Sequence, residues 1–165
     1  MIISRRELGQ LRQEWQAAGR RVVFTNGCFD LLHLGHIRYL QAARDLGGLL
    51  VLGLNSDSSV QKLKGPLRPL VPQLDRAEVM NALRAVDYVV IFEELTAEQI
   101  VTELQPAIYV KGGDYATGEG EGPGKPLPEA ELVRGYGGEV VLIPFLPAHS
   151  TSTLISKILN SYGKA

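Results

Sequence analysis

Thr25-Asn26-Gly27-Cys28-Phe29-Asp30-Leu31-Leu32-His33-Leu34-Gly35-His36 decides how this chain is read. The apolar run Val22-Val23-Phe24 leads into it, and an amphipathic segment with Ile37, Leu40, Ala42 and Ala43 inward follows. This pattern predicts a strand that hands over to a helix, with two histidines and a glycine at the helix start. Helix N-termini carry unpaired backbone N–H groups and the positive end of the helix dipole, so they gather anions. Glycine lets an anion approach the backbone, and residues three apart lie on one side of a helix. Imidazoles placed there add donors that can follow charge as it moves across a phosphate. A pair of capping or partly buried histidines is the plainer alternative. Finding two of the chain's three histidines within four residues weighs against it. Zinc binding is the other rival, and a single cysteine, Cys28, supplies a structural zinc set poorly.

Outward from that stretch, apolar runs and polar helices alternate. A helix is predicted from about Ser4 to Ala18, with Ser4 and Glu7 as a capping box and Leu8, Leu11 and Trp15 at helical spacing. Strands are predicted at Arg21–Thr25, Leu49–Leu54, Tyr88–Phe92, Ile108–Val110 and Glu139–Ile143. Helices are predicted over Leu34–Leu46, from a cap of Asp75 with Glu78 to Ala85, and from a cap of Thr96 with Gln99 to before Pro106. Two more follow over Leu127–Arg134 and Ser152–Asn160, the last with Leu154, Ile155, Ile158 and Leu159 inward. Lys62–Gln73, with three prolines, reads as a loop, and Gly112–Pro126 as a mobile surface loop. Continuous apolar runs suit strands buried on both faces. The predicted fold is therefore α/β, a doubly wound, Rossmann-like, five-stranded parallel sheet with helices on both faces. Residues 1–20 form an N-terminal helix packed on the domain, and residues 21–165 form a single domain.

Composition narrows the function. At 165 residues the chain has room for one core, and 45% hydrophobic with 21% charged residues is ordinary for a globular enzyme. A net charge of -1 gives no basic field for nucleic acid. One cysteine suits a reducing compartment, no apolar run reaches membrane-spanning length, and Met1–Glu7 lacks the marks of a signal peptide. A cytoplasmic protein with no nucleic-acid or membrane partner is expected. The first helix packs, through Leu11 and Trp15, either on the domain or on a second subunit, and a homodimer is the expected assembly.

Ligands of doubly wound sheets bind at the carboxyl ends of the strands, near the switch in strand order. The loops that follow the strands here hold the chain's His, Lys, Asp and Ser/Thr clusters. Lys62 and Lys64, on a basic loop, suit closure over phosphates, with a plain solvated loop as the alternative. Ser150-Thr151-Ser152 open the last helix as a second phosphate cradle, or simply as an N-cap.

The Gly27–His36 segment resembles the signature of the cytidylyltransferase-like nucleotidyltransferase superfamily. The resemblance continues in order through Asn55-Ser56-Asp57, Leu63-Lys64-Gly65, Arg68-Pro69, Asp75-Arg76, Val86–Val90, Lys111-Gly112-Gly113-Asp114-Tyr115 and Ser150-Thr151-Ser152. It is nearest to the adenylyltransferase branch that joins ATP to D-glycero-β-D-manno-heptose 1-phosphate, giving ADP-heptose and pyrophosphate. At this length no sugar-kinase domain is expected beside it. The resemblance implies ATP and Mg²⁺, with a sugar phosphate as acceptor. His33, His36, Lys62 and Lys64 are the implied catalytic groups. Asn26, Gly27, Phe29, Asp30, Gly35, Lys111, Gly112, Asp114, Ser150, Thr151 and Ser152 are implied on the nucleotide side, Asp30 either orienting the turn or helping to place Mg²⁺. Asp57, Arg68, Arg76 and Tyr115 are implied for the acceptor, with no dedicated protein metal site.

The glycerol 3-phosphate cytidylyltransferase branch carries an arginine-threonine-glutamate-glycine stretch where this chain has Phe145-Leu146-Pro147-Ala148. That difference favours the heptose reading over a cytidylyltransferase for glycerol 3-phosphate or another alcohol phosphate. A nonenzymatic nucleotide sensor and a flavodoxin-like interaction domain are the readings in which the histidines do no chemistry.

Overall fold

The computed structural model describes residues 1–113, 115–116 and 125–163, with side chains excepted for 115–116 and 125–126. Among these residues six strands form one sheet: β1 (Ile2–Ile3), β2 (Val22–Gly27), β3 (Leu49–Asn55), β4 (Tyr88–Phe92), β5 (Ile108–Gly112) and a final strand at Glu139–Ile143. A separate parallel pair joins β6 (Tyr115–Ala116) to β7 (Lys125–Pro126), so the final strand of the main sheet is β8. The order is β1-β4-β3-β2-β5-β8, and every neighbouring pair is parallel.

The sequence predicts five strands, and the sixth is β1. Ile2 and Ile3 pair with Val89 and Val90 on the edge of β4. Two residues carry no periodicity, so only the tertiary pairing makes them a strand.

Among the described residues seven helices surround the sheet: α1 (Arg5–Ala17), α2 (Leu34–Asp45), α3 (Asp57–Lys64), α4 (Gln73–Asn81), α5 (Glu98–Leu104), α6 (Pro128–Gly135) and α7 (Thr151–Tyr162). Strand residues alternate between two cores. Val22, Phe24, Val51, Val90 and Tyr109 pack with Leu8 and Trp15 of α1, Ile100 and Leu104 of α5, and Val133 of α6. Val23, Leu50, Leu52, Leu54 and Val110 pack with Leu40 and Ala43 of α2 and Ala77 and Met80 of α4. Both sheet faces are thus covered, which explains the unbroken apolar runs.

Several local expectations change. Lys62 and Lys64 sit on the last turn of α3, not on a loop. Ser56 starts that helix by accepting from the Ser59 N–H. Helix α4 begins at Gln73 behind Pro72, two residues before the expected Asp75 cap. The N-cap of α5 is Ala97 rather than Thr96. Ile37 is exposed, and Tyr39 turns inward instead, its hydroxyl meeting Thr25 Oγ1 and the Val110 carbonyl. No residue of α7 is fully buried, so its apolar stripe does not enter the core. Most of the expected 112–126 loop lies outside the described residues.

The strand order reverses beside β2: β3 and β4 run to one side, β5 and β8 to the other. The carboxyl ends of β2 and β5 therefore form the switch point where ligands of such sheets bind.

Candidate active site

A cavity of about 720 Å³ opens at that switch point. The end of β2 contributes Asn26 and Gly27, the turn after it Phe29, Asp30 and His33, and the start of α2 Gly35 and His36. Lys64, Arg68, Lys111 and Gly112 line it, as do Ser150, Thr151 and Ser152. These fourteen predicted site residues are brought together by the fold.

The histidines form its most ordered feature. The rings of His33 and His36 stack with centroids 3.7 Å apart and planes 21° from parallel. Phe29, in a left-handed backbone conformation (φ 43°), sets its ring 5.1 Å from that of His36. Gly35 is required by this packing, since a Cβ there would come within 2.9 Å of His33 Nδ1. The Nδ1 atoms of both rings are buried without a partner. Burial, and then the neighbouring His33, push the His36 pKa down to about 4. Burial, and then His149, lower that of His33. A protonated ring would hold an unsatisfied buried N–H at Nδ1, so both imidazoles are neutral near pH 7.

The start of α7 lies against this pair. His149 Cβ would contact a Cβ on Gly35, and Thr151 Oγ1 reaches the Leu31 carbonyl at 3.5 Å. Helices α1, α3, α4, α5 and α6 each carry an acidic residue in their first turn. Helices α2 and α7, whose N-termini meet in the cavity, have none. Their dipoles are left for a ligand anion to satisfy. The Ser150 hydroxyl is occupied in capping, accepting from the Thr153 N–H at 3.0 Å. The cradle at α7 therefore consists of first-turn backbone N–H groups and the side chains that follow Ser150.

Asp30 is almost fully buried and serves the neighbouring loop. Its oxygens accept from Arg68 Nε at 2.6 Å and from the N–H groups of Leu70 and Val71 at 2.9 Å each. Burial works to raise its pKa, but these bonds overcome that and hold it below the usual value. The carboxylate thereby braces the loop at Leu70 and Val71. It also fixes Arg68 at the cavity wall.

At the centre, Lys111 Nζ donates to Asn26 Oδ1 at 2.9 Å, and the Tyr109 hydroxyl donates to the same oxygen at 2.8 Å. Burial lowers the Lys111 pKa to about 8, with Glu129 among the groups that oppose the fall. Burial also raises the Cys28 thiol, which keeps it from nucleophilic duty.

Three expected residues stand apart from the cavity. Lys62 is exposed outside its lining. Arg76 is buried within the protein, donating to the carbonyls of Val71, Cys28 and Asn55 and to Asp57 Oδ1. It ties the loop at Val71, the turn at Cys28 and the end of β3 together, with Asp57 as its counter-ion. Asp114 lies outside the described residues, as does the side chain of Tyr115. Conversely, Glu129, Thr96, Asn55, Phe145 and His149 line the cavity although the sequence reading places none of them in the site. Among the described residues no group of three or more His, Cys, Asp and Glu could hold a metal ion. No helix among them is long and apolar enough to cross a membrane.

The site thus joins a parallel α/β sheet, a stacked histidine pair and two acid-free helix starts at one switch point. The chain belongs to the cytidylyltransferase-like family, whose profile matches residues 24–155. It is 54% identical over 161 residues to bifunctional protein HldE of Trichlorobacter lovleyi, and 52% identical over 149 residues to that of Geobacter sulfurreducens. Those matches cover 98% and 90% of this chain but only 31% and 29% of the relatives. Among solved structures, the lipopolysaccharide core biosynthesis protein from Thermoplasma volcanium GSS1 superposes with a TM-score of 0.58 at 29% identity. That match covers 78% of this chain and 98% of the neighbour.

Proposed function

We propose that the chain transfers AMP from ATP to a sugar 1-phosphate, D-glycero-β-D-manno-heptose 1-phosphate, with release of pyrophosphate. The observation that carries the reading is the meeting of two helix N-termini, both free of acidic residues, around the stacked His33 and His36. Identity of about half to the HldE proteins over nearly the whole chain supports the heptose acceptor over an alcohol phosphate.

In this reaction a phosphate oxygen of the sugar attacks the α-phosphorus of ATP. A bond forms between them as the bond from the α-phosphorus to the β-phosphate bridging oxygen breaks. The attacking phosphate is already ionised near neutral pH, so no side chain has to remove a proton. Catalysis is positioning plus stabilisation of charge moving onto the pyrophosphate. Neutral imidazoles with the proton on Nε2 donate to the triphosphate without the cost of a buried cation. The first-turn N–H groups of α2 and α7 hold it from two sides. Lys64 and Arg68 supply charge from the far wall, and Lys111 does so at the switch point. Gly27, Gly35 and Gly112 leave room for the Phe29, His33 and Phe145 rings that shape the cavity. Magnesium arrives with the nucleotide, as part of the substrate, on phosphate oxygens.

The test crosses ATP and CTP with heptose 1-phosphate and glycerol 3-phosphate and measures pyrophosphate. ATP with heptose 1-phosphate is expected to give the highest kcat/KM. Pyrophosphate only from CTP with glycerol 3-phosphate would contradict the reading.

A further inference from the structure

The cavity extends beyond the phosphate grip to a second polar group. Glu129 stands at the second position of α6, 4% exposed, and lines the cavity with Thr96 and Leu127. Its Oε1 accepts the N–H of Ala97, the N-cap of α5, at 2.7 Å. One oxygen thus fastens the starts of two helices, and its charge is felt by the Lys111 ammonium.

Neither helix needs this carboxylate for its dipole. Helix α5 has Glu98 in its first turn, and α6 has Glu131 and a proline at its start. Fastening Ala97 requires a single acceptor atom, which a neutral amide would supply at lower desolvation cost. A buried carboxylate kept at a cavity wall gains from a ligand that brings hydrogen-bond donors. Hydroxyl groups are such donors, and a site built to bind them rejects analogues that lack them.

We propose that Glu129 is a specificity residue of the acceptor subsite, its carboxylate accepting hydrogen bonds from the hydroxyls of a polyhydroxylated sugar phosphate. The inference rests on the reading above, in which the acceptor shares this cavity with the triphosphate. It goes further in assigning the choice of acceptor to a residue on α6 and not to the phosphate-binding helices.

The experiment compares the wild-type chain with Glu129→Gln. The amide oxygen still accepts from Ala97, while an NH₂ group replaces the second carboxylate oxygen. Binding of heptose 1-phosphate, single-hydroxyl deoxy analogues and a simple alkyl phosphate is measured with a nonhydrolysable ATP analogue present. Heptose 1-phosphate should bind at least tenfold more weakly to the variant, while affinity for the ATP analogue changes by much less and Tm does not fall. The preference for the sugar over the alkyl phosphate should shrink by the same factor. Unchanged sugar affinity in the variant overturns the proposal and leaves Glu129 as a helix fastener. If the variant does not fold, the wild-type protein decides: one deoxy position must cost tenfold, and equal binding of all analogues overturns the proposal. Wild-type turnover of glycerol 3-phosphate with CTP alone would instead remove the heptose reading, a different result from failure of the binding comparison.

Discussion

His33 and His36 lie face to face at 3.7 Å, each with its Nδ1 sealed from solvent and unpartnered. An orphaned buried nitrogen costs free energy in the resting protein, about 1–3 kcal/mol. Such a cost persists where the ring is held for another purpose, which in the proposed reaction is donation from its other nitrogen to the triphosphate. His36→Asn should therefore lower kcat by about a hundredfold, within the range of losing a preorganised donor, and change KM for ATP by less. Steady-state kinetics on both parameters check this. An unchanged kcat would remove the catalytic assignment.

The lowered His36 pKa makes stability depend on pH. The ring binds a proton near 6.5 when unfolded and near 4 when folded. Between those values the unfolded state holds more protons, so stability is complete above pH 6.5 and falls as pH drops toward 4. The loss attributable to this ring approaches about 3 kcal/mol. Asp30, held below its ordinary 3.8, adds its own loss only at lower pH. Urea midpoints between pH 7 and 4.5 should show a shallower decline for His36→Asn than for the wild type.

Gly35 makes the stack possible. Gly35→Ala would place a methyl 2.9 Å from His33 Nδ1 and 3.2 Å from His149 Cβ. The rings must shift while the fold stays intact, and kcat should fall at least about tenfold from lost positioning. Circular dichroism together with turnover separates this outcome from unfolding.

Lys64 and Lys62 share the last turn of α3, yet only Lys64 lines the cavity. Lys64→Ala should raise KM for ATP or lower kcat by about tenfold or more, as expected for loss of a phosphate-directed charge. Lys62→Ala should change either by less than about twofold, in line with an exposed surface site.

Arg76→Met should unfold the protein more readily without a selective effect on substrate affinity. It strips donors from the carbonyls of Val71, Cys28 and Asn55 and leaves Asp57 unpaired. Each buried carbonyl left without a donor costs about 1–3 kcal/mol, readable as a large fall in the urea midpoint.

These residues also show what the sequence discloses. Leu49–Leu54 announces a strand because burial on both faces leaves no polar alternation, and the histidine motif announces a helix start by its own spacing. Ile2-Ile3 is silent because its strand exists only through Val89 and Val90. Arg76 looks like a site residue by type, but it is fully buried, with the partly exposed Asp57 as its ion-pair partner. Amphipathicity gave α7 an apolar face without revealing that none of it is fully buried. Glu129 and His149 reach the cavity by tertiary approach, which no local spacing records.

The transfer itself is tested most directly by following the α-phosphate. ATP labelled with ³²P at the α position, incubated with heptose 1-phosphate and the protein, should place all the label in a sugar-linked nucleotide and none in pyrophosphate. Label remaining in ATP, or appearing in free AMP at the same rate without the sugar phosphate, would contradict the account.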